Sequence, residues 1–321
     1  MDHSELNTKF AFLFADVQTD STFPAKRPLL AHYTSLQTLE LIMRNDEVWF
    51  SNPLCMNDYE ELRFGMNEGA AAVRRHSGIR TACGSDVRHQ LLVNAFDEHF
   101  REFDENHAFD TYVLCFSEHD PANNDGVLSM WRGYGGNGAG AAIVVDTAEL
   151  NANNDSPFVI SQVTYGSGDA RRKWIEAKLE EFASHLPSLQ LPDDALRHAA
   201  QLLLERIKIF SLFSKHDGFR EEREWRFVYL SQRDAAKRLD SMLGYAIGPR
   251  GVEPKLKLKV APIKDVFADD LSLEKIVDRI ILGPSASGLM AVKSIDRMFE
   301  QINKSTFRSR LRTSTTPFRS S

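Results

Sequence analysis

The chain has 321 residues, with 39 Lys plus Arg against 45 Asp plus Glu, a formal charge of −6. That balance excludes a protein that holds nucleic acid through a broad basic surface, which needs a concentrated excess of cations. Hydrophobic residues make up 42% and charged residues 26%, so the chain can bury a core without staples. Cys55, Cys83 and Cys115 are too few and too scattered for a disulfide framework or a CxxC metal knuckle, and an odd count fits a reducing compartment. The first twenty residues interleave acids and lack an apolar signal core, and no apolar run reaches the ~18 residues of a membrane span. The expectation is a cytoplasmic protein with no membrane partner.

The predicted elements run as follows. Residues 1–25 form a lead-in, with Phe10, Phe12 and Phe14 as docking points. A strand over 29–33 leads to Thr34 as N-cap, with Gln37 completing a capping box. Leu36, Leu39, Ile42 and Met43 then recur at helical spacing, and this helix ends near Asn45. Strand 47–51 precedes a loop opened by Asn52-Pro53, and Leu92, Ala95, Phe96, His99, Phe100 and Phe103 stripe a helix over 85–103. The apolar run 111–117 is a strand, 121–126 a turn-rich loop, and 133–140 a glycine-rich link to strand 141–146. A strand over 159–165 is followed by two helices, 170–185 and 193 to about 214. Residues 224–230 form a strand of mixed character. The alternation of Lys and apolar residues over 255–260 marks a half-exposed strand. Strand 276–282 ends at Gly283-Pro284, an amphipathic helix covers 288–303, and 307–313 is the last strand. No repeat or linker divides the chain. The reading is one domain over 26–313, α+β with a mixed, mainly antiparallel sheet, a helical insertion at about 168–216, and a basic polar tail over 314–321.

Several clusters carry chemical potential. Gly133, Gly135 and Gly138 have the spacing GxGxxG, but they precede a strand instead of opening a helix, so a tight entry to that strand accounts for them better than a phosphate cradle. His32 and Tyr33 sit at a strand-to-helix junction, where a His can donate to a ribose and a Tyr can stack on a flat ring, or both can be structural. Asn57, Asp58, Glu60 and Glu61 suit either a hard metal or the N-terminus of a helix, the second being the simpler account. If the strand at 224–230 is entered near Glu222, then Glu222, Glu224 and Arg226 share one sheet face, with Trp225, Phe227 and Tyr229 on the other. Arg226 then neutralises one carboxylate, and the set is either functional or an exposed charged face. Cys115 reads as an inert thiol inside a strand, and the histidines make no zinc spacing.

In ordered blocks the chain resembles the bacterial DUF2971 proteins, which include relatives of the AbiGi abortive-infection group. The blocks are 30–35, 48–51, 57–61, 114–118, 130–135 leading to 140 and 143–146, then 222–226, 280–284 and 313–319. The layout is also similar to that of ADP-ribosyltransferase-like toxins. That likeness implies an ADP-ribosyltransferase-like sheet core and NAD as substrate. It implies His32 at the adenosine ribose, Tyr33 or Tyr134 over nicotinamide, Glu224 beside the cleaved sugar, Glu222 orienting a nucleophile and Arg226 at a phosphate, with Asn57 among the binding residues. A carboxylate beside the sugar stabilises the oxocarbenium-like transition state of such a cleavage. The implied role is an effector of prokaryotic defence or of a toxin–antitoxin operon, acting on an unknown macromolecular acceptor and working with a partner protein. The alternatives are a metal-dependent nuclease built on Asp58, Glu60, Asp146 or Glu222, and a non-enzymatic sensor or antitoxin-like module. Lys304, Arg308, Arg310, Arg312 and Arg319 mark where a nucleic-acid acceptor is expected to bind.

Overall fold

The computed structural model describes residues 3–19, 27–56, 59–150, 156–248 and 251–318. Its strands are β1 (Leu29–Thr34), β2 (Glu47–Ser51), β3 (Thr111–His119), β4 (Ala141–Asp146), β5 (Phe158–Gln162), β6 (Thr164–Gly166), β7 (Ser214–His216), β8 (Glu224–Leu230), β9 (Leu243–Gly248), β10 (Gly251–Lys259), β11 (Val277–Leu282) and β12 (Leu311–Thr313). The chain divides into two compact units. One comprises 1–21, 52–111 and 163–219, the other 22–51, 112–162 and 220–321.

The first unit is helical. Helices Tyr59–Arg75, Asp86–Glu102 and Gly168–His185 pack with Leu196–Leu212, which carries a run of buried residues. The helical pair expected as an insertion therefore shares a unit with 52–111. Helix Tyr59–Arg75 approaches Leu196–Leu212 closely because Gly65 and Gly69 lack side chains: a Cβ at Gly65 would lie 2.2 Å from Ser211 Oγ. The lead-in docks here. Phe10 is fully buried and stacks on Phe182, while the Arg206 guanidinium donates to the Leu13 carbonyl at 2.9 Å and lies over Trp174. Asn52 is also buried; its amide donates to the carbonyls of Ala108, Phe109 and Thr111.

The second unit is built on a mostly antiparallel ten-stranded sheet, ordered β12-β11-β4-β1-β3-β2-β10-β9, with β8 paired to β3 and β5 to β8. β11 and β12 are parallel. β1 alternates across this sheet as its period of two requires. Leu30 joins a large core with Leu114, Phe227 and Leu256, whereas Ala31 and Tyr33 join a smaller cluster with Met130, Trp131 and Val144 on the opposite face. Helix Leu36–Asn45 buries Leu39, Ile42 and Met43, as its spacing requires. Its N-cap is Ser35, not Thr34. The Ser35 hydroxyl accepts from Thr38 N at 3.0 Å, while Thr34 completes β1 opposite Ala141. The run 307–313 becomes a short 3₁₀ turn, Ser305–Arg310, followed by only three strand residues.

Candidate active site

Parts of four blocks meet at one corner of the second unit: Tyr33, Trp131 with Gly138, Gly283, and Thr315 with Phe318. Helix Leu128–Gly133 places Trp131, fully buried, edge-on against Tyr33 with ring centroids 4.8 Å apart. The indole N–H donates to the Asp125 carbonyl at 2.8 Å. The Tyr33 hydroxyl accepts from Val127 N at 2.9 Å, and burial pushes its phenol up to about 12. Tyr33 is thus part of the wall of this corner, with its ring enclosed. Asp125 ties in the last described segment: the Thr315 backbone N–H and hydroxyl donate to its carboxylate and hold it below the usual carboxylate range. Phe318 closes over Gly138, and Arg132 lies 5.4 Å from its ring centroid.

The glycine-rich link is a packing device. A Cβ at Gly135 would sit 2.4 Å from the Trp131 ring, one at Gly140 would lie 2.1 Å from the Thr34 carbonyl oxygen, and one at Gly138 2.7 Å from Phe318. The N–H groups of Gly135, Gly138 and Gly140 are used within the turn. Gly135 donates to Met130, Gly138 to Trp131 and Gly135, and Gly140 to Gly135. Donors used in this way do not cradle a phosphate.

Beside this corner, the exposed Tyr134 donates from its hydroxyl to Glu222 Oε1 at 2.9 Å. Glu222 is half-buried, and its backbone carbonyl accepts from the Ser117 hydroxyl at 2.6 Å. The shared face expected for Glu222, Glu224 and Arg226 does not form by strand alternation. Glu222 ends a 3₁₀ turn, Asp217–Glu222, and Arg223 is left-handed with φ 43°, so β8 begins only at Glu224. Arg223 pairs with Glu118, which also accepts from the Trp225 indole. Arg226 holds Glu224, not Glu222, in a two-point grip at 2.8 and 3.1 Å, with both side chains buried. Every residue of β8 is buried, so this strand is no exposed charged face.

His32 lies elsewhere. Strand alternation puts it on the large-core face, opposite Tyr33. It sits where β1 parts from β3: the β1–β3 register covers only Leu29–Ala31, and β2 meets β3 at Ser51 and Val113. Its Nδ1–H donates to the Cys115 carbonyl at 3.0 Å, and burial lowers the imidazole below the ordinary histidine value against the effect of that bond. Two small cavities, ≈ 70 and ≈ 100 Å³, share His32, Ile42, Val48 and Leu114 as walls. Asn57 lies outside the described residues, as do Asp58 and the side chains of Glu60 and Glu61. Asp146 caps a turn by accepting from Ala148 N. Among the described residues, no three His, Cys, Asp or Glu side chains are grouped to hold a metal ion. No described helix is long and apolar enough to cross a membrane.

The basic stretch expected to receive nucleic acid is engaged within the second unit. Lys304 pairs with Asp46 and Glu274, Arg308 with Asp296 and Glu300, and Arg310 donates to the carbonyls of Glu274 and Val277. Arg319 lies outside the described residues. Ser117, Glu118 and Asp125 organise the corner without having been singled out. Their only signals are that Ser117 and Glu118 fall in a resemblance block and that Asp125 sits in a turn.

The corner and its sheet define a mixed α+β protein with a surface carboxylate–phenol pair at the margin of a glycine-packed turn. The family model described as "Protein of unknown function (DUF2971)" matches residues 130–227 and supports the DUF2971 assignment. That stretch opens at the Trp131 turn and closes inside β8, so it contains both halves of the Tyr134–Glu222 contact. No curated protein and no solved structure gave a significant match.

Proposed function

We propose that the chain cleaves the nicotinamide–ribose bond of NAD, passing the ADP-ribosyl group to water or to a macromolecular acceptor, with Glu222 as the working carboxylate. The observation that carries this reading is the Tyr134–Glu222 hydrogen bond, which sets an exposed aromatic ring beside a partly exposed carboxylate. In such a cleavage the C–N bonding pair leaves with nicotinamide, quenching its ring charge. The ribosyl cation is met by the carboxylate and captured by a hydroxyl that gives up its proton. Tyr134 offers a ring face for nicotinamide and fixes the carboxylate that faces the sugar. Glu224, buried and held by Arg226, supports the start of β8 and so positions Glu222. A role in prokaryotic defence belongs to the same proposal.

Incubating the protein with NAD and measuring nicotinamide release tests it. Release that falls about 100-fold or more in Glu222→Gln, and substantially in Tyr134→Ala, is the expected result. Release unchanged in Glu222→Gln, or none from the wild-type protein with water or any offered acceptor, refutes it.

A further inference from the structure

The β9–β10 hairpin lies at one end of the ten-stranded sheet. Leu243, Tyr245 and Ile247 alternate along β9 and are 37%, 67% and 86% exposed, and Val252 on β10 is 66% exposed. The register pairs Leu243 with Leu256, Tyr245 with Pro254 and Ile247 with Val252, so these six side chains share one face. Leu256 is fully buried in the large core. The stripe is therefore the core side of the sheet, continued outward past the layer that covers it. It carries no charge. Glu253, Lys255 and Lys257 alternate onto the opposite face, where Lys255 pairs with Glu253 and Lys257 lies over the Trp49 ring.

We propose that this stripe packs against the same stripe of a second copy of the chain, across a two-fold axis. An uncharged patch opposes its own copy without like-charge repulsion, which suits the isologous contact of a symmetric dimer. Full coverage of the exposed parts of Leu243, Tyr245, Ile247 and Val252 removes at most about 500 Å² per copy, about 1,000 Å² for the pair, close to the lower bound for a specific interface. The net charge of −6 and the internal pairing of the nearby lysines favour this occupant over an anionic lipid surface.

Sedimentation of the full chain from low to high micromolar concentration tests the proposal. The expected result is a dimer, weakened about tenfold or more in Ile247→Glu and in Val252→Glu, both retaining the wild-type circular dichroism spectrum. Both positions are exposed and on different strands, so one variant checks the other if either misfolds. A wild-type monomer at high micromolar concentration overturns the proposal, as does a dimer that survives both substitutions. Binding of the wild-type monomer to anionic vesicles, lost in Ile247→Glu, would assign the stripe to lipid and also overturn it.

Discussion

Gly133 and Gly135 stand two residues apart in the same glycine-rich link, yet the structure separates their roles. A Cβ at Gly135 would fall 2.4 Å from Trp131 Cε3 and 3.1 Å from the Trp131 Cα, whereas one at Gly133 meets nothing within 4 Å. The indole cannot slide away: Tyr33 holds one side, and a Cβ at Gly126 would already be 2.8 Å from Trp131 Nε1. Overpacking against so enclosed a ring costs about 3 kcal/mol, the upper part of the usual range. Gly133 closes helix Leu128–Gly133, where alanine removes backbone freedom from the unfolded chain and is neutral or stabilising by up to about 1 kcal/mol. Thermal unfolding followed by circular dichroism and tryptophan fluorescence should show Gly135→Ala melting about 5–10 °C below wild type, with Gly133→Ala at or slightly above it. Equal shifts for the two variants would refute the packing account. Loss of NAD binding at unchanged stability in Gly135→Ala would restore the phosphate-loop reading.

Two further outcomes follow from buried charge. Removing one partner of the buried Glu224–Arg226 pair takes a two-point charged grip from the other, so Arg226→Met should cost about 3 kcal/mol in denaturant unfolding, and Glu224→Gln/Arg226→Met should recover part of that loss; strictly additive losses would show that the pair is not coupled. Burial lowers both His32 and His119, and His119 Nε2 has no hydrogen-bond partner among the described residues. As pH falls below about 6.5 the unfolded chain takes up protons that the folded chain resists, so stability is retained above that pH and lost progressively below it. The melting temperature should therefore drop between pH 7.5 and pH 5.5, and drop less in His32→Gln/His119→Gln; an identical pH slope in that variant would exclude both histidines as the cause.

The apolar strands β1, β4 and β11 were legible because their residues are buried on both faces, and an apolar run reports that without tertiary information. The helix Tyr59–Arg75 was not, beyond the acids at its start, because Gly65 and Gly69 look like breakers until Leu196–Leu212 is seen to press on them. β9 went unread for a related reason: Gly244 and Gly248, which lie on the face opposite Leu243, Tyr245 and Ile247, are poor strand formers. At the site, residue types were legible and pairings were not. The partner of Arg226 depends on where β8 starts, and that is fixed by the left-handed Arg223, a conformation its residue type does not announce. In the basic stretch the cations were legible, whereas composition cannot show that Lys304 and Arg308 have carboxylate partners.

The corner around Trp131 is assembled almost wholly from distant pieces. Tyr33 meets Val127 across 94 positions of sequence, Tyr134 meets Glu222 across 88, and Thr315 meets Asp125 across 190. Closing loops of that length is slow and gives little return until several have closed together. Loop length alone therefore predicts that the Tyr134–Glu222 pair forms after the helices held by near neighbours. A chain that lacks either residue cannot form the pair, so any activity there requires both the 130–135 block and the entry to β8.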